Sequence, residues 1–220
     1  MLRTGFSAEL EQIRLQVEVV AVRVGEAVGR MRTVLTTGDL DTAAEALASD
    51  DEIDAMVVSL TERTYDLLRR ESPVASDLRF LVSALRMLEE LERIGDLSLR
   101  VVKRAPEQPM LASQPAIFRT LEAMAALAEE LYRIALDAWS AQDFDAACTL
   151  AVRNLDMDVH DAELLGSILE LDGPGTAHLA VAAVLTGRAL GRIADHAVIV
   201  GERLRYLLTG DTAYLASEVR

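Results

Sequence analysis

Carboxylates four residues apart, Glu92 and Asp96, mark the stretch Leu91-Glu92-Arg93-Ile94-Gly95-Asp96 of this 220-residue chain, and the related stretch Gly191-Arg192-Ile193-Ala194-Asp195 keeps the second of the two acids. On a helix that spacing stacks two acids one turn apart on a single face, where both can converge on one hard cation. The same spacing also arises on any charged, solvated helix, so it is the recurrence in equivalent surroundings that lifts the cation reading. The second stretch is incomplete, because position 191 is glycine. Glycine offers no ligand and costs a helix interior roughly 1 kcal/mol against alanine. A competent first site is therefore expected, with a second that is weakened, completed by another acid, or lost. Other chemistry finds no template. There is no Gly-rich phosphate loop, no Gly-x-Ser-x-Gly elbow and no His-Glu-x-x-His pair. None of His160, His178 or His196 follows a glutamate by three residues, as di-iron carboxylate bundles require.

The elements that must position these acids are long helices. Leu10, Ile13, Val17, Val20, Val24, Val28, Met31 and Leu35 recur every three or four residues, so one amphipathic helix is expected from Ser7, a plausible N-cap, to about Thr36. A short helix over Asp39–Ala48, a longer one over Asp50–Glu71 and a third opened by Pro73 and running to about Arg104 complete a first unit. Two prolines mark 106–114 as a linker. A helix from about Ala116 to Ser140, an acidic helix from Asp143 to Leu171 and a final one from Pro174 to Leu208 repeat the order. The repeat reaches individual residues. Arg93-Ile94-Gly95-Asp96 aligns with Arg192-Ile193-Ala194-Asp195, Asp39-Leu40-Asp41 with Asp143-Phe144-Asp145, and Glu52-Ile53-Asp54 with Asp156-Met157-Asp158. Three matches in the same order argue for internal duplication. The expected fold is all-α, two tandem three-helix bundles over residues 1–105 and 115–210, with a tail over 211–220.

Composition narrows the function. With 51% hydrophobic and only 4% aromatic residues the core is one of Leu, Val, Ile and Ala, as helical bundles use. The 36 acidic side chains against 22 basic leave a formal charge of −14, which disfavours nucleic acid and anionic lipid as partners. The single cysteine, Cys148, forbids an intrachain disulfide and, with an amino terminus whose charges come too early for a secretory signal, sets the expectation of a cytoplasmic protein without membrane insertion. Cys148 reads as a small buried hydrophobe, Trp139 as a packing residue, and His196 as a surface or helix-contact residue.

The duplicated motifs, together with Asp195-His196-Ala197 and the closing Tyr206-Leu207-Leu208-Thr209-Gly210-Asp211, resemble those of the PhoU family over nearly the whole chain. The resemblance implies a tandem pair of three-helix bundles, commonly a homodimer. It implies an adaptor that represses the phosphate-starvation response and phosphate uptake, linking the ATPase of the phosphate ABC transporter to a sensor histidine kinase at the inner face of the membrane, without catalysing a reaction. It also implies multinuclear iron or zinc on the acidic motifs. Carried over by position, Glu92, Asp96 and Asp195 match the motif, while Glu52, Asp54, Asp156 and Asp158 match acids on the facing helices. The competing reading is a carboxylate-bridged metal-binding or storage bundle.

Overall fold

A computed structural model describes residues 2–219, and the side chains of 5–215. Helix α1 (Leu2–Thr37) buries Ile13, Val17, Val20, Val24, Val28, Met31 and Val34, a stripe that keeps one face turned inward from Ile13 onward. It starts upstream of Ser7, so Ser7 lies within the helix rather than capping it. Gly38, at φ +70°, turns the chain into α2 (Leu40–Ala48) and α3 (Asp50–Glu71). Pro73 sits ahead of α4 (Ala75–Val102) rather than in its first turn, because Ser72 and Ala75 both adopt positive φ and break the helix there. The expected linker is itself helical, with a 3-10 turn over Ala105–Glu107 and then α5 (Gln108–Ala112).

The second unit comprises α6 (Pro115–Ala141), α7 (Phe144–Arg153), α8 (Leu155–Leu169) and α9 (Thr176–Thr209). What the sequence presents as one acidic helix is thus two, divided at Asn154, just as α2 and α3 divide at Ser49. The duplication shows in the caps. Asp39 accepts from the backbone N–H of Asp41 at 3.0 Å, and its aligned counterpart Asp143 from that of Ala146 at 2.9 Å, each satisfying an orphan donor of a helix start. The described residues contain no strand.

Four long helices make one core: α9 packs along α4 and α6, and α1 packs along the same two. The shorter pairs lie outside, α2 and α3 against α1 and α4, α7 and α8 against α6 and α9. Trp139 is 1% exposed within this core, and the Tyr132 hydroxyl, buried with it, donates to the carbonyl of Ala21 across the two units. Burial pushes the Tyr132 phenol well above its ordinary pKa, so it stays a donor throughout the physiological range. Cys148, by contrast, is half-buried rather than enclosed.

Close approach decides which glycines matter. A Cβ at Gly201 would stand 2.4 Å from Leu150 Cδ1 and 3.3 Å from the carbonyl oxygen of Ala147, so α7 can lie against α9 only because that position is bare. A Cβ at Gly95 would meet nothing within 4 Å, and its counterpart in the second unit is already Ala194. Gly95→Ala is expected to stabilise the fold by about 0.5–1 kcal/mol, the helix-propensity difference. Gly201→Ala should destabilise it by about 1–3 kcal/mol through overpacking. Urea unfolding of the two variants checks both signs.

Candidate functional site: two acidic helix faces

Helices α4 and α9 are buried on two sides, each by its own unit and by the other long helix, so polar residues are confined to the strip that remains. On α4 that strip carries Glu92, Arg93 and Asp96, all exposed, beside the buried Leu91, Ile94 and Gly95. On α9 it carries Arg192 and Asp195 beside the buried Ile193 and Ala194. The helices that face these strips are α3 and α8.

In the first unit Asp54 and Asp50, one turn apart on α3, lie within electrostatic reach of Asp96. Partial burial, then Asp96, then Asp51 push the Asp54 carboxyl above its ordinary pKa. Burial, Asp54 and Asp96 do the same to Asp50, against a smaller opposing pull from Lys103. Three carboxylates thus crowd one face without a cation among the described groups that compensates them fully. Glu52 is not part of this cluster: it points to the other side of α3, into a groove shared with Gln16 and Val19 of α1. Asp50 is the residue that motif reading missed, although its spacing of four from Asp54 is the signal that singled out Glu92 and Asp96.

In the second unit a cavity of about 310 Å³ brings Asp158, Asp161 and Asp195 together with Asn154, Arg188 and Arg192. Asp156, aligned with Glu52, does not line it. Asn154 donates its side-chain amide to Asp195 at 3.0 Å. The repeat alignment puts Asn154 where the first unit has Asp50, so here a neutral donor replaces a repelling acid. Gly191 also borders this cavity, and a Cβ there would meet only Met157 Cγ at 3.9 Å, so the position has room for a side chain.

Between the two faces His196 and Glu90 form a nearly buried pair, Nδ1 to Oε2 2.6 Å, tying α9 to α4. His196 is therefore a helix-contact residue, and sequence spacing held no sign of Glu90 as its partner, 106 residues away. Beside them burial, reinforced by Arg86, lowers the Arg203 guanidinium, while Glu90 and Glu89 pull it back up.

Among the described residues no three His, Cys, Asp or Glu side chains converge closely enough to hold a metal ion. The acids as placed do not fit a preformed multinuclear cluster. They form a diffuse negative face in the first unit and a partly neutralised one in the second.

Raised carboxyl values mean that Asp50 and Asp54 bind protons more readily in the folded chain than in the unfolded one. Their repulsion is present above the folded-state values and vanishes as the pH falls through them towards the ordinary carboxylate range, so stability declines as pH rises through that window. Asp54→Asn should raise stability at pH 7 by about 0.5 kcal/mol, the scale of exposed charge pairs. The gain should disappear below the ordinary carboxylate range, which thermal melts at pH 7 and pH 3 would resolve.

The PhoU domain model matches residues 17–105. Over 210 residues the chain is 30% identical to the phosphate-specific transport system accessory protein PhoU homolog of Pseudomonas aeruginosa, covering 93% of this chain and 86% of that protein. It is 26% identical over 207 residues to the phosphate-specific transport system accessory protein PhoU of Escherichia coli, covering 93% and 86%. The crystal structure of PhoU from Pseudomonas aeruginosa superposes with a TM-score of 0.88 at 27% identity, covering 94% of this chain and all of that one. A duplicated bundle with paired acidic strips, matched along almost its entire length by these relatives, belongs to the PhoU family.

Proposed function

We propose that this chain is a phosphate-signalling adaptor, a negative regulator of the phosphate-starvation response and of phosphate uptake that connects the phosphate ABC transporter to a sensor histidine kinase. The observation that carries the reading is the match, over 93% of this chain, to a relative named as an accessory protein of phosphate-specific transport. The acidic strips support it, since surface carboxylates on rigid helices suit electrostatic docking to basic partner surfaces. On this reading the protein acts by binding, with no reaction of its own, as a homodimer in the cytoplasm against the inner face of the membrane. No described helix is long and apolar enough to cross a membrane, which leaves partners to bring it there.

We propose the first unit as the place for the iron or zinc that the family resemblance implies, where no cluster is preformed and Asp50, Asp54 and Asp96 would have to draw together around the ion. Asp54 and Asp96 repel one another there, so a cation would relieve a cost already present. In the second unit the Asn154 amide already occupies one Asp195 oxygen, and Gly191 supplies none.

Two measurements test the reading. In cells lacking the protein, and any paralogue, a phosphate-regulon reporter is expected to stay active in high phosphate; normal repression would overturn the adaptor role. Purified protein should capture the transporter ATPase or the cytoplasmic part of the kinase. Metal assayed on the same sample should fall in Asp96→Asn and persist in Asp195→Asn. Abundant metal in a protein that captures neither partner would instead favour a metal-binding or storage bundle.

A further inference from the structure

Five basic side chains line a cavity of about 600 Å³ between the end of α4 and the middle of α9. Arg100, Lys103 and Arg104 enter from the first unit, and Arg188 and Arg192 from the second. Arg100 on the last turn of α4, with Lys103 and Arg104 in the turn that follows it, lines the cavity from one side, and Arg188 and Arg192, one turn apart on α9, line it from the other. Like charges so arranged repel, and only one is matched locally: Arg104 pairs with Glu107 at 2.9 Å. Arg100, Arg188 and Arg192 have no ion pair among the described residues. Lys103 has none either, although its field reaches Asp50. Arg188 and Arg192 stand on the ridge between this cavity and the acidic one, which both also line.

We propose that this cavity is a binding site for a compact phosphate chain, the diphosphate or triphosphate group of an inorganic polyphosphate or of a nucleotide. Guanidinium groups hold phosphate oxygens through paired N–H donors, and three of the four uncompensated cations are arginines. A single orthophosphate, with at most two charges at neutral pH, leaves most of that charge unmatched. A chain of two or three phosphates carries its charge over a span that meets both sides. The apolar part of the lining is Leu97, Leu185 and Ala189, and no aromatic ring is present on which a base would stack. The phosphate chain, rather than a nucleobase, is therefore the recognised part. Because the cations come from both units, a bound chain bridges α4 and α9. The site adjoins the acidic cavity of the second unit through Arg188 and Arg192, and its existence does not depend on the adaptor reading.

Isothermal titration of the full chain, in low-salt buffer without divalent cations, tests the proposal with sodium tripolyphosphate, ATP and orthophosphate as probes. Tripolyphosphate should bind with an affinity that falls steeply as salt rises, and orthophosphate at least about tenfold more weakly. ATP equal to tripolyphosphate assigns recognition to the chain alone, whereas ATP about tenfold tighter assigns the source to a nucleotide; both uphold the site. Arg100→Ala and Arg188→Ala should each weaken tripolyphosphate by about tenfold, the effect of losing a charge-assisted hydrogen bond. Arg133→Ala, on the exposed face of α6, should leave it unchanged. The variants' circular-dichroism melts confirm that each is folded. No measurable tripolyphosphate binding, binding undiminished in both cavity variants, or equal binding of an acidic peptide of the same charge would overturn the proposal.

Discussion

The contact between α4 and α9 governs the rest of the molecule. These two helices are the equivalent last helices of the two units, and each must bury one side against its own unit and another against its counterpart. Few positions are left to face solvent, and that scarcity orders the chemistry. Glu92, Asp96 and Asp195 fall on the one strip that α3 and α8 border. Gly95 and Ala194, one residue earlier, fall on the buried side. His196 and Glu90 fall on the contact itself, and their pairing lets a histidine and a carboxylate sit nearly out of solvent.

Duplication supplied two copies of this arrangement, and they have diverged electrostatically. The first unit retains three mutually repelling aspartates at 50, 54 and 96. In the second, Asn154 stands at the position of Asp50 and hydrogen-bonds Asp195, while Gly191 removes the counterpart of Glu92. One face therefore holds uncompensated charge that a cation or basic partner can relieve. The other is already settled by a neutral donor. The two units thus share an arrangement of helices but present unequal charge.

Much of this was legible in the chain. Apolar residues at three- and four-residue intervals located the long helices, and the alignment of Asp39 with Asp143 marked two N-caps that the structure shows bonded alike. Local signals failed where backbone conformation or distant packing decides. Ser7 looks like a cap but lies inside α1, since nothing upstream breaks the helix. The acidic segment after Asp143 divides at Asn154, with no proline or glycine at the break to announce it. Glu52 and Asp156 share a short motif with Asp54 and Asp158, yet residues two apart on a helix point about 200° apart, so one of each pair faces away from the strip. The Glu90–His196 pair and the basic cavity join residues about a hundred positions apart, which no periodicity reveals.

The same geometry explains why opposite charges coexist so close together. Along α9, positions 188 and 192 are one turn apart, and positions 191 and 195 form the next row round the helix. A rotation of about 100° per residue is enough to move from the basic cavity to the acidic face. Arg188 and Arg192 border both, and their long side chains have no fixed partner on either side. A phosphate chain bound as proposed would compete with Asp158, Asp161 and Asp195 for those two guanidinium groups. The two faces therefore share two cations, so the charge each presents is not independent of the other.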